Sequence, residues 1–520
     1  MSNTYNDDAI EDCVWSVIEA SQNVADHITY LRHFLSSVRH RDQALDKVAS
    51  LFSPGFSYFE SAYLSAFEAV ETLTGAAGTV EQRRNAWFNL GKMLHNGYGI
   101  GADPARAAGV YEQAIELGEI RSLINLGALY EAGKGVERSI ERAQALFEKA
   151  IDLGESLGYM RLSELLPQDA SKERGELLRR GAELDCPFAS LRLGKLFING
   201  KEGFEKDPEQ GMYWIERSAN AGNGYGAFHM GWHYENGHSV AKNLELAIKW
   251  YDEGIARGDR ASMSALGVLL YYGMGIEENY ERSMYLLKRA AVLGDPIAQR
   301  RYGRELIWGP LNSATEEGIK REGVAWLSLA EENDDDRAAE LLGRVYRKGI
   351  GVEVDHKKSS SYLLKAAKGG IPEAQGQIGL NFWYGIGLEV NYEEAYKWLS
   401  ICALQGQAEG VYYLARATEQ GIGCEVNFEE AIKLYQRSAE LGDPDAVYAL
   451  GECAYYGRGQ EADPRIAVMH YQKAANKGHT AAMVRLGVML YDGEHVLTNY
   501  EEAARWFSEA AHQDDPRGMY

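Results

Sequence analysis

The chain has few cysteines, no long apolar run and no excess of basic charge, and each shortage removes a class of protein. Its 520 residues contain five cysteines, Cys13, Cys186, Cys402, Cys424 and Cys453. The number is odd and no pair has the Cys-x-x-Cys spacing, so a disulfide framework is not expected. The thiols read instead as small buried hydrophobes with one or two at the surface, which suits a reducing compartment. No stretch approaches the roughly 18 consecutive apolar residues of a membrane span. Met1 to Trp15 carries Asp7, Asp8, Glu11 and Asp12 rather than a basic start followed by an apolar run. No secretory signal is expected from it, and a cytoplasmic location is. The formal net charge of −22 argues against nonspecific nucleic-acid binding, which needs a positive surface to displace counterions. That charge would favour a basic partner, although much of the acid falls at helix starts, where it serves ordinary helix chemistry.

Catalytic motifs are equally scarce. Gly97-Tyr98-Gly99-Ile100-Gly101 has the look of a phosphate loop, but the apolar pattern before it is helical, and a dinucleotide site needs a preceding strand. Gly133-Lys134-Gly135 lacks the Ser or Thr of a Walker loop. The twelve histidines include no His-Glu-x-x-His, and His27, His33 and His40 read as surface or packing residues. Nothing matches the serine-nucleophile elbow. No catalytic residue, cofactor or metal is therefore assigned.

What the chain does have is a period. Leu90-Gly91 is followed by Gly97, and the same frame returns 36 residues later as Leu126-Gly127 and Gly133. It recurs on Gly194, Gly231, Gly267, Gly303, Gly343, Gly379, Ala415, Gly451 and Gly487. Counting from that residue as position zero, position −1 is large and apolar, as in Leu266, Leu414 and Leu450, and position −5 is small, as in Ala189, Ser262 and Ala446. Position +3 is mostly large, as in Tyr130, Phe197 and Phe382. Spacings of three and four put these on one face of a helix. Position +6 is Gly in all eleven clear copies, and a Gly closing an amphipathic run reads as a helix stop with positive φ. Start signals follow: Asp103-Pro104, Asp207-Pro208 and Asp463-Pro464, or Asn279, Asn391, Asn427 and Asn499 with Glu near the first turn. Asp or Asn supplies the cap oxygen, Pro suits the first helical position, and Glu three residues on suggests a capping box. A second helix then runs to another Gly, such as Gly370, Gly406 or Gly442. A repeat of this length is the mark of a solenoid, in which neither helix buries its apolar face until the neighbours stack on it.

Such strings as Leu126-Gly127-Ala128-Leu129-Tyr130-Glu131-Ala132-Gly133-Lys134-Gly135-Val136 and Ala474-Ala475-Asn476-Lys477-Gly478 closely resemble the Sel1-like repeat family, a tetratricopeptide-like variant with a longer loop between helices. The resemblance covers about residues 84–514. It implies an all-α fold: a right-handed α/α superhelical solenoid of about 12 repeats. Residues 1–83 fall outside the frame and are expected to form a helical N-terminal cap, with a break at Ser53-Pro54-Gly55. Residues 155–186 read as a degenerate copy, Lys201–Lys206 and Pro310–Lys320 as loop insertions, and 515–520 as the truncated start of a further helix.

In tetratricopeptide-like arrays the first helix of each repeat lines the inner groove, which by resemblance turns positions −6, −3, +1 and +4 inward. The middle of the array is basic there: Arg300, Arg304, Arg337, Arg344 and Arg347, with Lys348 beside them. Aromatics accompany them: Trp308, Trp383, Tyr384, Tyr412, Tyr448, Tyr455 and Tyr456. Arginine with exposed aromatics is the composition of binding hot spots; the competing reading is that these side chains pack against neighbouring helices. The expected function is a non-catalytic scaffold that holds a protein or peptide in its groove, with an acidic segment of the partner at the arginines. The resemblance also implies adaptor roles. A dedicated neutraliser of one toxin or effector, an enzyme with an unrecognised site, and an exported envelope binder are the alternatives.

Overall fold

The computed structural model describes residues 80–96, 102–167, 169–309, 317–493 and 495–513. The expected cap over 1–79, the turn 97–101, most of the 310–320 insertion and the 515–520 segment lie outside the described residues. Among these residues there are 24 helices and no strand. They alternate with the predicted period, as in Ala408–Gln420, Phe428–Glu440, Pro444–Tyr456 and Pro464–Asn476. The first described helix is Val80–Asn96, so the boundary drawn at residue 84 falls inside a helix.

The stop and start signals act as their chemistry dictates. Gly421 caps its helix in the left-handed region with φ 72°, and its N–H returns to the carbonyl of Ala417. The second Gly of the turn has a different task. Gly423 also has positive φ and lies against the backbone of Tyr392, the first residue of the preceding repeat's second helix. Where the turn is Gly-x-Gly it docks a repeat on the one before it, as Gly135 does on Pro104 and Gly387 on His356. Second helices start on a side-chain cap: Asn391 accepts from the N–H of Glu394 at 3.0 Å and Asn427 from that of Glu430 at 2.9 Å.

The capping box is only half built. Its second half would require the Glu carboxylate to accept the N–H of the cap residue. That N–H is already taken: Asn391 donates to the carbonyl of Phe382 at 2.9 Å, Asn427 to Thr418 at 3.0 Å and Asn499 to Leu490 at 2.9 Å. In each case the acceptor is position +3 of the repeat's own first helix. The freed Glu394 carboxylate instead receives Trp398 Nε1 at 3.0 Å and Lys397 at 2.9 Å.

Position zero is glycine because the second helix crosses there. A Cβ on Gly451 would fall 2.6 Å from the ring of Tyr471, and Tyr471 is fully buried. Leu414 and Leu450 at position −1 are buried, as expected. The core is a run of small clusters rather than one mass. One joins Leu399 and Ala403 of one repeat to Val411 and Leu414 of the next, and another joins Ala415 and Tyr435 to Ala446 and Leu450. Each cluster bridges neighbours, so stability is passed along the array by adjacent repeats.

The degenerate copy is compensated by an insertion. Its first helix, Leu157–Leu165, is short and ends in extended backbone at Leu166 instead of a left-handed Gly. The loop inserted at Lys201–Lys206 folds back toward its second helix, Ser171–Glu183. There Phe204 lies against Gly175 and stacks edge-on with Phe197 at 4.7 Å, and Arg174 pairs with Glu202 at 2.9 Å. The chain divides into two compact units, Met1–Gly303 and Arg304–Tyr520, which are described separately below. No helix among the described residues is long and apolar enough to cross a membrane.

Candidate partner-binding site

In the second unit the first helices of three successive repeats, Asp336–Lys348, Pro372–Tyr384 and Ala408–Gln420, border an open cleft of about 280 Å³. Glu340, Arg344 and Arg347 come from the first of these, Glu373, Gln377 and Leu380 from the second, and Glu409 and Tyr413 from the third. These are positions −6, −3, −2, +1 and +4 of the frame, close to the set assigned to the inner face.

The cleft is not simply basic. Arg344 pairs with Glu340 at 3.8 Å and lies over the ring of Trp308, 5.4 Å from its centroid. Burial pushes the Glu340 carboxyl up, while Arg344, Arg347 and Arg304 pull it back toward the charged form. Arg347 donates to Gln377 Oε1. Gln377 in turn donates to Asn381 at 3.0 Å, Asn381 to Ser360 at 2.9 Å and Ser360 to the carbonyl of Ile386 at 2.7 Å. Asn381 is buried at position +2, where most copies carry an apolar residue. A polar relay thus runs from the cleft through the repeat to its docking turn. Two further carboxylates face the cleft with no such partner: Glu373 and Glu409 are exposed and form no ion pair or hydrogen bond among the described residues.

The remaining sequence-assigned residues fall into three groups. Arg304 and Arg337 are exposed and unpaired among the described residues. Trp383 is buried, with its ring stacked on the exposed Tyr384 at 5.5 Å; it supports the surface without forming it, which corrects its assignment as a contact residue. Tyr412 and Tyr455 are half-buried, and Tyr456 is exposed. Tyr456 accepts from Arg485 at 2.9 Å and lies under Arg458, 5.1 Å from ring centroid to guanidinium. Arg300 belongs to the first unit and is half-buried.

Sequence reasoning missed Glu373, Glu409 and Arg416. All three sit at the inward positions −6 or +1, and reading those positions for every charge instead of for arginine and aromatics would have found them. Among the described residues no group of three His, Cys, Asp or Glu side chains is arranged to hold a metal ion. The described thiols, Cys186, Cys402, Cys424 and Cys453, are free, and burial pushes Cys402 and Cys453 up to about 11.

Comparison with known families finds the Sel1 repeat at ten places, residues 86–119, 120–155, 187–223, 224–259, 260–295, 336–371, 372–407, 408–443, 444–479 and 480–515. Together these cover more than half of the chain. The chain belongs to the Sel1 repeat family. The stretches left unmatched inside the array, 156–186 and 296–335, contain the degenerate copy and the copy framed on Gly303. Among solved structures it resembles c5321, a protective antigen of uropathogenic Escherichia coli with the same repeat fold, at TM-score 0.57 and 23% identity, over 86% of this chain and 95% of that one. This supports the α/α solenoid and nothing about activity. Among curated proteins it is 24% identical to chitin synthase regulatory factor 3 of Schizosaccharomyces pombe over 39% of this chain and 22% of that protein. It is 35% identical to the chitin synthase regulator SKT5 of Saccharomyces cerevisiae over 15% of this chain and 11% of that protein. The chain thus spans less than a quarter of the length of the curated relatives it matches. A Sel1 repeat array is a scaffold suited to protein–protein interaction.

Proposed function

We propose that the chain is a non-catalytic scaffold whose second unit holds an extended segment of a partner protein along its first-helix face. Carboxylates of that segment meet Arg304, Arg337 and Arg344, and a hydrogen-bond donor or basic group meets Glu373 and Glu409. The observation that carries this reading is the set of charges with no ion pair or hydrogen bond among the described residues: Glu373, Glu409 and Arg337 on the cleft helices and Arg304 on the helix Pro296–Trp308. Charges without intramolecular partners contribute little to stacking, and they are well suited to complement another surface. The two relatives named as regulators agree with action through binding rather than chemistry. The mixed cleft narrows the partner: a uniformly acidic segment would satisfy the arginines but be repelled by Glu373 and Glu409.

A photoreactive phenylalanine analogue placed at Tyr413, in the cleft, and separately at Gln436, exposed on the second helix of the same repeat, tests the reading in the native host. Adducts are expected from the first position and not the second. They should fall, most steeply in moderate salt, when Arg304 and Arg344 are both changed to Glu. Adducts only from Gln436, or a folded double variant that captures at the wild-type yield, would sink the groove assignment.

A further inference from the structure

Beside the cleft lies a guanidinium that the packing leaves without an anion. Arg416 occupies position +1 of the helix Ala408–Gln420, the position Arg344 holds two repeats earlier. One turn before Arg344 stands Glu340, which supplies a carboxylate. One turn before Arg416 stands Tyr412. Its guanidinium is surrounded by rings: 5.7 Å from the centroid of Trp383, 5.8 Å from Tyr412 and 5.9 Å from Tyr413. Among the described residues no carboxylate lies within ion-pair reach of Arg416 and no acceptor takes its N–H groups. In the next two repeats two ring-bound arginines are neutralised, Arg458 by Glu419 at 2.9 Å and Arg485 by Glu452 at 3.7 Å; Arg505, over Trp506, lacks an ion pair among the described residues too but is exposed to water.

Ring faces attract a guanidinium through their quadrupole and fix its plane, but they accept none of its in-plane hydrogen bonds. Arg416 is half-buried, so it is partly removed from water, held in one orientation, and still has its donor fork to satisfy. A fork held ready in this way matches a carboxylate bidentately, and holding it in place lowers the ordering cost of binding. Tyr413 is both a wall of this cage and a wall of the cleft, so the cage adjoins the cleft at that ring.

We propose that Arg416, caged by Trp383, Tyr412 and Tyr413, anchors one acidic side chain of the peptide segment that lies in the cleft. The inference rests on the peptide-groove reading above and adds a residue preference to it. Glu373 and Glu409 in the same cleft repel a second negative charge, so the anchored Asp or Glu is flanked by uncharged or basic residues.

The test is selection of random linear peptides, displayed without a free C-terminus, on the full chain and on Arg416→Gln and Arg416→Lys. Circular dichroism melting confirms that each variant is folded. Wild type should enrich peptides with a single Asp or Glu at a fixed place. In fluorescence polarisation, replacing that residue by its amide should weaken binding to wild type about tenfold to a hundredfold, the usual worth of hydrogen bonds to charged groups. The same replacement should change binding to Arg416→Gln by much less, with Arg416→Lys between the two. Peptides that lack an acid, or an acid preference that survives in Arg416→Gln, would overturn the anchor and leave the groove reading standing. A chain that enriches no peptide overturns both readings.

Discussion

The two units build the same repeat and dress its inner positions with opposite chemistry. In the first unit, positions −6 and +1 of two successive copies are Phe188, Lys195, Tyr225 and Trp232. The three aromatics are 52%, 45% and 38% exposed, and the Lys195 ammonium lies over the ring of Tyr225 at 5.0 Å. In three successive copies of the second unit the same positions are Arg337, Arg344, Glu373, Leu380, Glu409 and Arg416, five of the six charged. The residues at −5, −1, zero and +6 barely change between the units. Those positions serve the crossing of helices and the turn; −6 and +1 are not consumed by stacking, so they can differ without changing the fold. These are the positions the fold leaves available to a partner.

The comparison breaks most severely if a frame position proves dispensable. Leu450→Ala should lower stability by about 2–5 kcal/mol, the cost of truncating a buried leucine. The loss should be concentrated in the repeats that share its cluster. Urea denaturation against an exposed Glu429→Ala control checks this, and equal midpoints for the two variants would contradict the assignment of position −1. Next in size is Gly421→Ala. At φ 72° the added Cβ incurs the left-handed penalty of about 1–2 kcal/mol, measurable in the same assay. No loss would mean that the turn relaxes to another conformation.

A buried histidine of the first unit ties its stability to pH. In the first unit His229 stands edge-on to Tyr225 at 4.6 Å. Burial, with Lys195 and His233 nearby, lowers it from 6.5 to about 3. The unfolded chain therefore takes up a proton near pH 6.5 that the folded chain refuses until about pH 3. Between those values the unfolded state binds more protons, so this residue makes stability fall as pH falls. Thermal midpoints of wild type and His229→Gln, measured from pH 7 to about pH 4, should converge toward the acid end. Parallel curves would place His229 in water.

The fold was legible because its requirements are local and periodic: a stop glycine, a cap residue and a small residue at each crossing, repeated eleven times. The capping box was over-read. The Asn-x-x-Glu spacing is present, but the cap N–H is claimed by a carbonyl from the preceding helix, a tertiary contact that no local spacing reveals. The site was legible only by position. Frame arithmetic pointed to the inner face, yet it could not tell Trp383, which lies in the core, from Tyr384 beside it, because both flank the turn and only packing against the next repeat separates them. It also singled out Arg344 and Arg347, which the structure engages with Glu340 and Gln377. It passed over Arg416, whose significance depends on the absence of a carboxylate one turn earlier.

The smallest effects are expected where the units differ most. Phe188 and Glu373 occupy the same position, −6, in the first and second unit, one an exposed ring and the other an exposed, unpaired carboxylate. If both belong to surfaces that stacking does not use, Phe188→Ser and Glu373→Gln should each shift stability by no more than about 0.5 kcal/mol, the range of surface substitutions away from special features. Their consequences for binding should differ in kind. Losing the carboxylate changes the salt dependence of capture by the second unit, because it removes a charge at the rim of the cleft. Losing the ring leaves that salt dependence unchanged. Denaturation midpoints and capture yields across a salt series measure both. A Phe188→Ser loss as large as that of Leu450→Ala would mean that the aromatic face of the first unit is packing, and the two units would then differ in architecture as well as in what they present to a partner.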